Sequence, residues 1–439
     1  MRENILIYGM GISGISSAKT LSKMNFNVYT YDYKKTNIDQ LEGYEYSPIY
    51  KSEDIFKIDY KYVLKSPGIK PSDELYKKLK EKYNVINDIE LSYVLFPQKK
   101  TISITGTNGK TTTTSMINFI LNNSNIKSIS VGNIGEGILY QMYKNDCVFV
   151  EELSSFQLHE IDTYRSKISI ILNITQDHLD WHKDYGDYIN SKLNIIKNQR
   201  EDDYFIKNHD DPLLKNVESK GINLEISTKE KVANGMYYKD GSIYLVEDGK
   251  ESHYIDTDKL QIVGVHNFEN TMASILSLRA FGLSDKSIKE NIVKFKAISH
   301  RLQFVKEIEG VKFYNDSKAT NVDSTVKALS GFKENVILIA GGYDKKVDYM
   351  PMIKAYKGKD KFMVVIGETK DQIKSLCDKE NIICYKANTL KEAMDIIKGK
   401  MEKGDIVLLS PASASWGMYR GFEERGNEFI DLVNLMEEK

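Results

Sequence analysis

Three cysteines, Cys147, Cys377 and Cys384, are scattered through 439 residues without metal-type spacing. So sparse and odd a set excludes a disulfide framework, and it reads as reduced thiols that pack a cytoplasmic protein. Net charge is also missing, since 61 Lys and Arg face 62 Asp and Glu for −1 at pH 7. That balance makes no overall field toward nucleic acid or an anionic membrane, so anions must be bound at local sites. No uncharged apolar run approaches the ~20 residues that span a bilayer. Met1-Arg2-Glu3-Asn4 leads into a short strand that stops at Gly9, unlike a secretion signal. Low-complexity tracts and repeats of solenoid period are absent as well. What is present is the composition of a globular enzyme, 41% apolar. At one domain per ~150 residues the chain is expected to form about three.

The most informative stretch runs from Thr101 to Leu121. Thr101-Ile102-Ser103-Ile104-Thr105 alternates as a strand, Gly106-Thr107-Asn108-Gly109-Lys110-Thr111-Thr112 breaks it, and Met116, Ile117, Ile120 and Leu121 recur at helical spacing. Strand, glycine loop and helix start build a phosphate cradle. Backbone N–H groups converge on an anion, Lys110 reaches the outer phosphates, and the Thr111 hydroxyl can ligate Mg²⁺. The usual pattern has a further glycine where Ile104 stands, so the loop is a shortened variant.

Upstream, Ile5-Leu6-Ile7-Tyr8 precedes Gly9-Met10-Gly11-Ile12-Ser13-Gly14, a helix carrying Ile15, Ala18, Leu21 and Met24, and a second strand, Val28 to Tyr31, ending at Asp32. This is a dinucleotide-type fingerprint, and it would hold a UDP pyrophosphate as well as NAD. Tyr62 to Lys65 runs into the turn Ser66-Pro67-Gly68, and Phe96 to Lys100 reads as a linker.

Downstream, Ser130 to Gly135 forms a glycine-bearing strand end that includes Asn133. Val148-Phe149-Val150 delivers Glu151 and Glu152 to the sheet edge where ligands sit, and one of these carboxylates can share Mg²⁺ with Thr111. Ile168 to Ile174 reads as a strand ending in Asp177-His178, with His182 one helical turn on, a spacing that would suit a transition metal. His182 can equally lie on a helix surface, and Lys192 reads by composition as a solvated helix lysine. Asp240-Gly241 predicts a hairpin between Tyr237-Tyr238 and Ile243-Tyr244. Asn267 and Asn270 precede a helix expected from Thr271 to Ala280, where they cap it or face a base. From His300-Arg301 onward, strands ending at Asn315, Ala340, Ile366 and Leu409 alternate with helical stretches, as in a doubly wound sheet.

These motifs, in this order and over essentially the whole chain, resemble the ATP-dependent Mur ligases of peptidoglycan synthesis. The segments that carry the resemblance are Gly9 to Gly14, Ser66-Pro67-Gly68, Gly106 to Thr112, Glu152 to Gln157, Asp177-His178, Lys192, His266-Asn267, His300-Arg301, Asn315 to Asn321 and Ser410 to Ser415. Glu152-Leu-Ser-Ser-Phe-Gln157 favours the branch that adds D-glutamate, and no Asp-Asn-Pro-Arg of the diaminopimelate- or lysine-adding branch occurs.

The resemblance implies an α/β chain of three domains: a UDP-binding Rossmann-like domain at 1–96, a central phosphate-loop ATPase-like domain at 97–299, and a doubly wound amino-acid domain at 300–439. It implies that Ile12, Ser13, Asp32, Ser66 and Asn133 hold UDP-N-acetylmuramoyl-L-alanine. Gly106 to Thr112, Asn267, Asn270, Arg301 and Asp316 would hold ATP, and Lys318, Thr320, Lys345, Ser415 and Phe422 would line the D-glutamate pocket. One Mg²⁺ would lie at Thr111 and Glu152 and a second at His178 and Lys192, with Lys192 carbamylated and Lys110, His178 and Lys192 catalytic. A cytoplasmic monomer without nucleic-acid or membrane partners is expected. Trp416, Gly417 and Trp181 depart from frequent Leu, Asp and Arg, and Thr111 stands for an equivalent Ser. Three other readings stay open, one of them a non-catalytic nucleotide sensor that binds ATP without turnover. Folylpolyglutamate synthetase shares the last two domains but lacks the N-terminal fingerprint, and an NAD-dependent oxidoreductase would use Gly9 to Asp32 but leave Gly106 to Thr112 unexplained.

Overall fold

Alternation in Ile5-Leu6-Ile7-Tyr8 sends successive side chains to opposite faces, and because both faces are apolar the strand must be covered on both sides. In the computed structural model it is β1 (Asn4–Tyr8). Ile5 and Ile7 pack with Ile15, Ala18 and Leu21 of the helix Ile12–Leu21. Leu6 and Tyr8 pack with Leu75, Tyr76 and Leu79 of the helix Glu74–Lys82. With β2 (Asn27–Tyr31), β3 (Ser47–Pro48), β4 (Tyr62–Lys65) and β5 (Val85–Ile86) it forms a parallel sheet of order β3-β2-β1-β4-β5. The structure describes residues 2–34, 38–135, 137–178, 181–262, 264–296, 299–333 and 335–436, so Leu179 and Asp180 of the histidine segment lie outside the described residues. The chain divides into two compact units, 1–259 with 269–293, and 260–268 with 294–439.

The first unit also carries the central sheet. Its strands are β6 (Thr101–Thr105), β7 (Ser128–Gly132), β8 (Val148–Glu152), β9 (Ile168–Ile171), β10 (Tyr204–Asn208), β11 (Ile222–Ser227), β12 (Gly235–Lys239), β13 (Ser242–Glu247) and β14 (Lys250–Asp256). The order is β14-β13-β12-β11-β10-β9-β6-β8-β7. β6 runs parallel to both neighbours, β8 and β9, so the loop after it opens at the carboxyl edge where α/β sheets take ligands. β9 is shorter than its apolar run predicts, because beyond Ile171 the chain turns to the loop: Leu172 N–H donates to Thr105 O and Thr107 N–H to Asn173 O. The hairpin β12–β13 forms as expected, with Asp240 (φ 48°) and Gly241 (φ 83°) both left-handed, the geometry of a primed two-residue turn.

The helix expected from Thr271 instead runs Val265–Phe281. Asn267 and Asn270 are therefore interior residues, both buried, and neither caps a helix starting at Thr271.

The second unit holds β15 (Gln303–Ile308), β16 (Val311–Asn315), β17 (Val336–Gly342), β18 (Asp360–Gly367), β19 (Cys384–Lys386) and β20 (Ile406–Leu409). Their order is β15-β16-β20-β17-β18-β19, parallel except for β15. Alternation again covers both faces. Val336, Leu338 and Ala340 pack with Met352, Ile353 and Tyr356, while Ile337 and Ile339 pack with Leu390, Met394, Phe429 and Val433. Cys377 and Cys384 are free thiols in this core, the packing role expected of them. Among the described residues no helix is long and apolar enough to cross a membrane.

Candidate functional site

The loop after β6 is held open by its neighbours. Gly109 sits at φ 87° as the N-cap of the helix Lys110–Asn123, and a Cβ there would lie 2.4 Å from Asn270 Oδ1, so no side chain is accommodated. Asn173 braces the loop, its Oδ1 accepting from Asn108 N–H at 2.8 Å and its Nδ2 donating to Asn108 O at 3.1 Å. Thr107 Oγ1 donates to Thr175 O at 3.0 Å and shares a hydrogen bond with Tyr188 Oη at 2.8 Å. Lys110 Nζ donates to Gly106 O at 2.8 Å and Thr107 O at 3.0 Å. Thr111 and Thr112 lie in the helix's first turn. The loop is thus a rigid cradle of backbone N–H groups at a helix N-terminus, where anions are favoured.

Beside it, β8 carries the two glutamates, which alternation sends to opposite faces. Glu152 pairs in register with Ile104, and its Oε1 accepts from Asn133 Nδ2 at 2.9 Å. Its Oε2 is buried with no hydrogen-bond partner among the described residues. An unpartnered buried carboxylate oxygen is costly, and it fits a hard cation bound by oxygen ligands. Glu151 goes elsewhere: Ser103 Oγ donates to its Oε2 at 2.6 Å, Tyr164 Oη donates to the same oxygen, and burial raises its carboxyl to about 7. Only Glu152 is available to the phosphate-loop edge.

Lys192 corrects the reading by composition. It lies on the helix Tyr185–Leu193 but is 2% exposed, with Nζ donating to Gly106 O at 2.9 Å, the same carbonyl that Lys110 meets. Burial first, and Lys110 second, hold its ammonium well below the usual lysine range. Lys192 Nζ is 4.8 Å from the Tyr188 ring centroid, and the His178 ring is 6.5 Å from the same ring. His178 is exposed with φ 54°. His182 is no surface residue. Its Nδ1 meets Asp187 Oδ2 at 3.0 Å and its Nε2 meets Ser155 Oγ at 2.9 Å, so both ring nitrogens are engaged. The imidazole pair therefore does not make a transition-metal site, and among the described residues no group of three or more His, Cys, Asp or Glu could hold a metal. Trp181 meets Phe156 tilted and His159 and His182 edge-on, and Lys65 Nζ sits 5.4 Å from its ring. Burial lowers Lys65 to about 8.

At the first sheet's edge, Gly14 approaches so closely that a Cβ would lie 2.0 Å from Gly9 O, and Ser66 Oγ donates to that same carbonyl at 2.6 Å. Asp32 braces the glycine turn, Oδ2 accepting from Met10 N–H and Oδ1 from Lys34 N–H, both at 2.7 Å. Each oxygen thus already has a backbone donor, a loop-building role not expected from the fingerprint. Ile12 stands 81% exposed at the helix start, and Ser13 hydrogen-bonds Asp88.

The second unit gathers its own set. Asp316 accepts from Leu302 N–H at 3.1 Å and Ser410 Oγ at 2.8 Å, and burial raises its carboxyl to about 7 although Arg301 pulls it down. Lys318 Nζ lies 3.8 Å above the Phe422 ring. Lys345 Nζ is 5.6 Å from the ring of Trp416, which meets Tyr343 edge-on at 5.5 Å. Ser415 is buried, and Thr320 N–H donates to Lys318 O. Because the folded chain keeps the Asp316 proton that an unfolded chain releases above about 3.8, stability falls as pH rises from about 3.8 to about 7. Asp316→Asn is expected to flatten that fall, by up to roughly 4 kcal/mol at ~1.4 kcal/mol per unit. Denaturant unfolding of both proteins at pH 4.5 and 7 measures it, and equal pH slopes would refute the assignment.

Two family models match this chain, the Mur ligase middle domain over residues 104–278 and the Mur ligase glutamate ligase domain over 300–413. A UDP-N-acetylmuramoylalanine–D-glutamate ligase of Thermoanaerobacter sp. (strain X514) is 39% identical, with 98% of each chain covered. One of the same name from Clostridioides difficile (strain 630) is 36% identical, also with 98% of each covered. This chain belongs to the Mur ligase family. The fold agrees with that of the UDP-N-acetylmuramate–alanine ligase of Thermotoga maritima (TM-score 0.61, 18% identity, 99% of each chain covered). It agrees equally with that of a pseudomurein peptide ligase type C of Methanothermus fervidus (TM-score 0.63, 17% identity, 99% of this chain and 100% of that one).

In this Mur ligase the motif reading missed two residues that shape the site. Asn173 was hidden because it serves the loop through the backbone of Asn108, a contact across 65 residues. Arg425 is 1% exposed, and its guanidinium donates to Ser317 Oγ at 3.0 Å, Ser317 O at 2.8 Å and Ser413 O at 3.2 Å, tying the loops after β16 and β20 together. A signal for Arg425 existed, since Phe429 and Val433 follow at helical spacing on the same buried face.

Proposed function

We propose that this Mur ligase joins D-glutamate to UDP-N-acetylmuramoyl-L-alanine, converting ATP to ADP and phosphate, as a cytoplasmic monomer. The observation that carries the reading is the glycine cradle at Gly106 to Thr112 beside the unpartnered Glu152 oxygen, in a chain whose full-length relatives bear that ligase's name. A carboxylate is a poor electrophile, because an oxide would have to leave. Phosphorylation solves this: the substrate carboxylate attacks the γ-phosphorus, the β–γ bridge breaks, and ADP departs from an acyl phosphate. The D-glutamate amine then attacks the acyl carbon, phosphate leaves, and the amine proton passes to solvent.

Residues 1–96 hold the UDP group through Ile12, Ser13, Asp32 and Ser66, with Asn133 from the central domain at 97–299. In the central domain Gly106 to Thr112 with Asn267 and Asn270 hold ATP, and Lys110 opposes the charge of the transferring phosphoryl group. The domain at 300–439 supplies Arg301 and Asp316 to ATP, and Lys318, Thr320, Lys345, Ser415 and Phe422 to D-glutamate, with Trp416 beside Lys345. Thr111 and Glu152 would hold one Mg²⁺, and His178 with carbamylated Lys192 a second. Bound there, the ions neutralise phosphate charge. Carbamylation suits Lys192 because its burial and Lys110 favour the neutral amine that attacks CO₂, losing a proton, and the anionic carbamate then gains from Lys110.

Gly109→Ala is expected to raise the ATP dissociation constant at least tenfold, read by titration calorimetry, because the added methyl has no room beside Asn270. Unchanged affinity would remove the cradle from the account. The reaction itself is tested by labelling the substrate carboxylate with ¹⁸O. Transfer of one ¹⁸O into the released phosphate is expected, and its absence would overturn the acyl phosphate.

A further inference from the structure

The helix Lys370–Lys379 ends in a tight return to the sheet: Ile382 N–H donates to Cys377 O at 2.9 Å, and Asn381 takes a left-handed φ of 58°. The return brings Cys377, near the end of the helix, to Cys384, the first residue of β19. The two thiols hydrogen-bond each other. A third sulfur joins them, since Cys384 pairs in register with Met363 of β18 and Cys377 Sγ lies 3.8 Å from Met363 Sδ. Both cysteines are free, and Cys147 belongs to the first unit.

A cysteine buried among apolar groups is ordinarily inert. Here the hydrogen bond from Cys384 first, and the charge of Lys374 with it, lower the Cys377 thiol from its ordinary range against burial and Asp378, which gives the pair a nucleophile. Access is local as well. β19 is a three-residue strand that ends the sheet order, Ile383 before it is 60% exposed, and Cys384 itself is 8% exposed. A small oxidant therefore reaches the sulfurs by opening one edge strand rather than the whole domain.

We propose that Cys377 and Cys384 are a redox modification site, closing to a reversible disulfide with a hydroperoxide as oxidant. The Cys377 thiolate attacks one peroxide oxygen, the O–O bond breaks, and hydroxide leaves a sulfenic acid on Cys377. Cys384 sulfur then attacks Cys377 sulfur, the S–O bond breaks, and water leaves with the Cys384 proton. Two thiols have lost two electrons, and hydrogen peroxide has become two waters.

The test treats the folded full chain with hydrogen peroxide, then unfolds it, alkylates it with iodoacetamide and digests it with trypsin for mass spectrometry. Residues 375–379 and 380–386 are expected as one crosslinked species, two hydrogens lighter than the separate peptides and released again by dithiothreitol. Cys384→Ser should stop the reaction at the sulfenic acid, read as a dimedone adduct on Cys377. Cys377→Ser should leave Cys384 free to be alkylated. Both cysteines still alkylated while Cys147 is oxidised would overturn the proposal, and so would a bond to Cys147 or between two chains in place of this one. A dimedone adduct on Cys384 in Cys377→Ser, with none on Cys377 in Cys384→Ser, would overturn the assigned attack. The readout is covalent and needs no turnover, so it stands or fails apart from the proposed reaction.

Discussion

Lys110→Ala is expected to lower kcat by on the order of 10³-fold, with a smaller effect on the KM for ATP. The reason is the timing of the charge it opposes. In the proposed reaction, backbone N–H groups of the cradle hold the phosphates in ground and transition states alike, whereas the lysine charge matters most while the γ-phosphoryl group moves between oxygens. Steady-state kinetics with each substrate varied separates the two. A variant with near-normal kcat and raised KM would make Lys110 a binding residue only. The substitution has a second consequence, because Lys110 is one cause of the depressed Lys192 amine. Removing it moves Lys192 back toward its ordinary range, so part of the loss in Lys110→Ala should depend on bicarbonate concentration.

Lys192→Ala is expected to lose activity to the same degree or more, and to regain a measurable part when acetate or another short carboxylate is added. The ammonium itself is poorly suited to its place: it is buried, it is aimed at a carbonyl shared with a second cation, and among the described residues no carboxylate hydrogen-bonds it. Its function is therefore better served by an anionic derivative, and a diffusible carboxylate fills the space the alanine leaves. Activity that survives the substitution would end the metal-bridging role. Loss without rescue, at full ATP affinity, would leave Lys192 as a brace of Gly106.

The parts of the site legible in the sequence are those whose chemistry is local. Gly106 to Thr112 declares itself because the glycines, the lysine and the helix that follows are contiguous, and Asp240-Gly241 does so because a two-residue turn needs two left-handed residues. Lys192 and His182 were illegible by composition because their burial is imposed from afar, by Gly106 for one and by Ser155 for the other. The glutamate pair lies between these cases. Strand alternation alone separates Glu151 from Glu152, but which face carries the ligand edge is decided only when β8 pairs with β6. The cap reading of Asn267 and Asn270 fails for a simpler reason: the helix starts at Val265, ahead of the expected Thr271, and takes both asparagines into itself. The fold was more legible than the site, because apolar alternation in β1, β17 and β18 requires sheets covered on both sides whatever the loops do.

The measurement that tests the central claim most directly is phosphate release from ATP and Mg²⁺ with UDP-N-acetylmuramoyl-L-alanine, run with D-glutamate, with L-glutamate and with no amino acid. Sustained release that requires both the UDP substrate and D-glutamate is the predicted result. Release that is indifferent to the amino acid, or none in any mixture while ATP still binds, would contradict it.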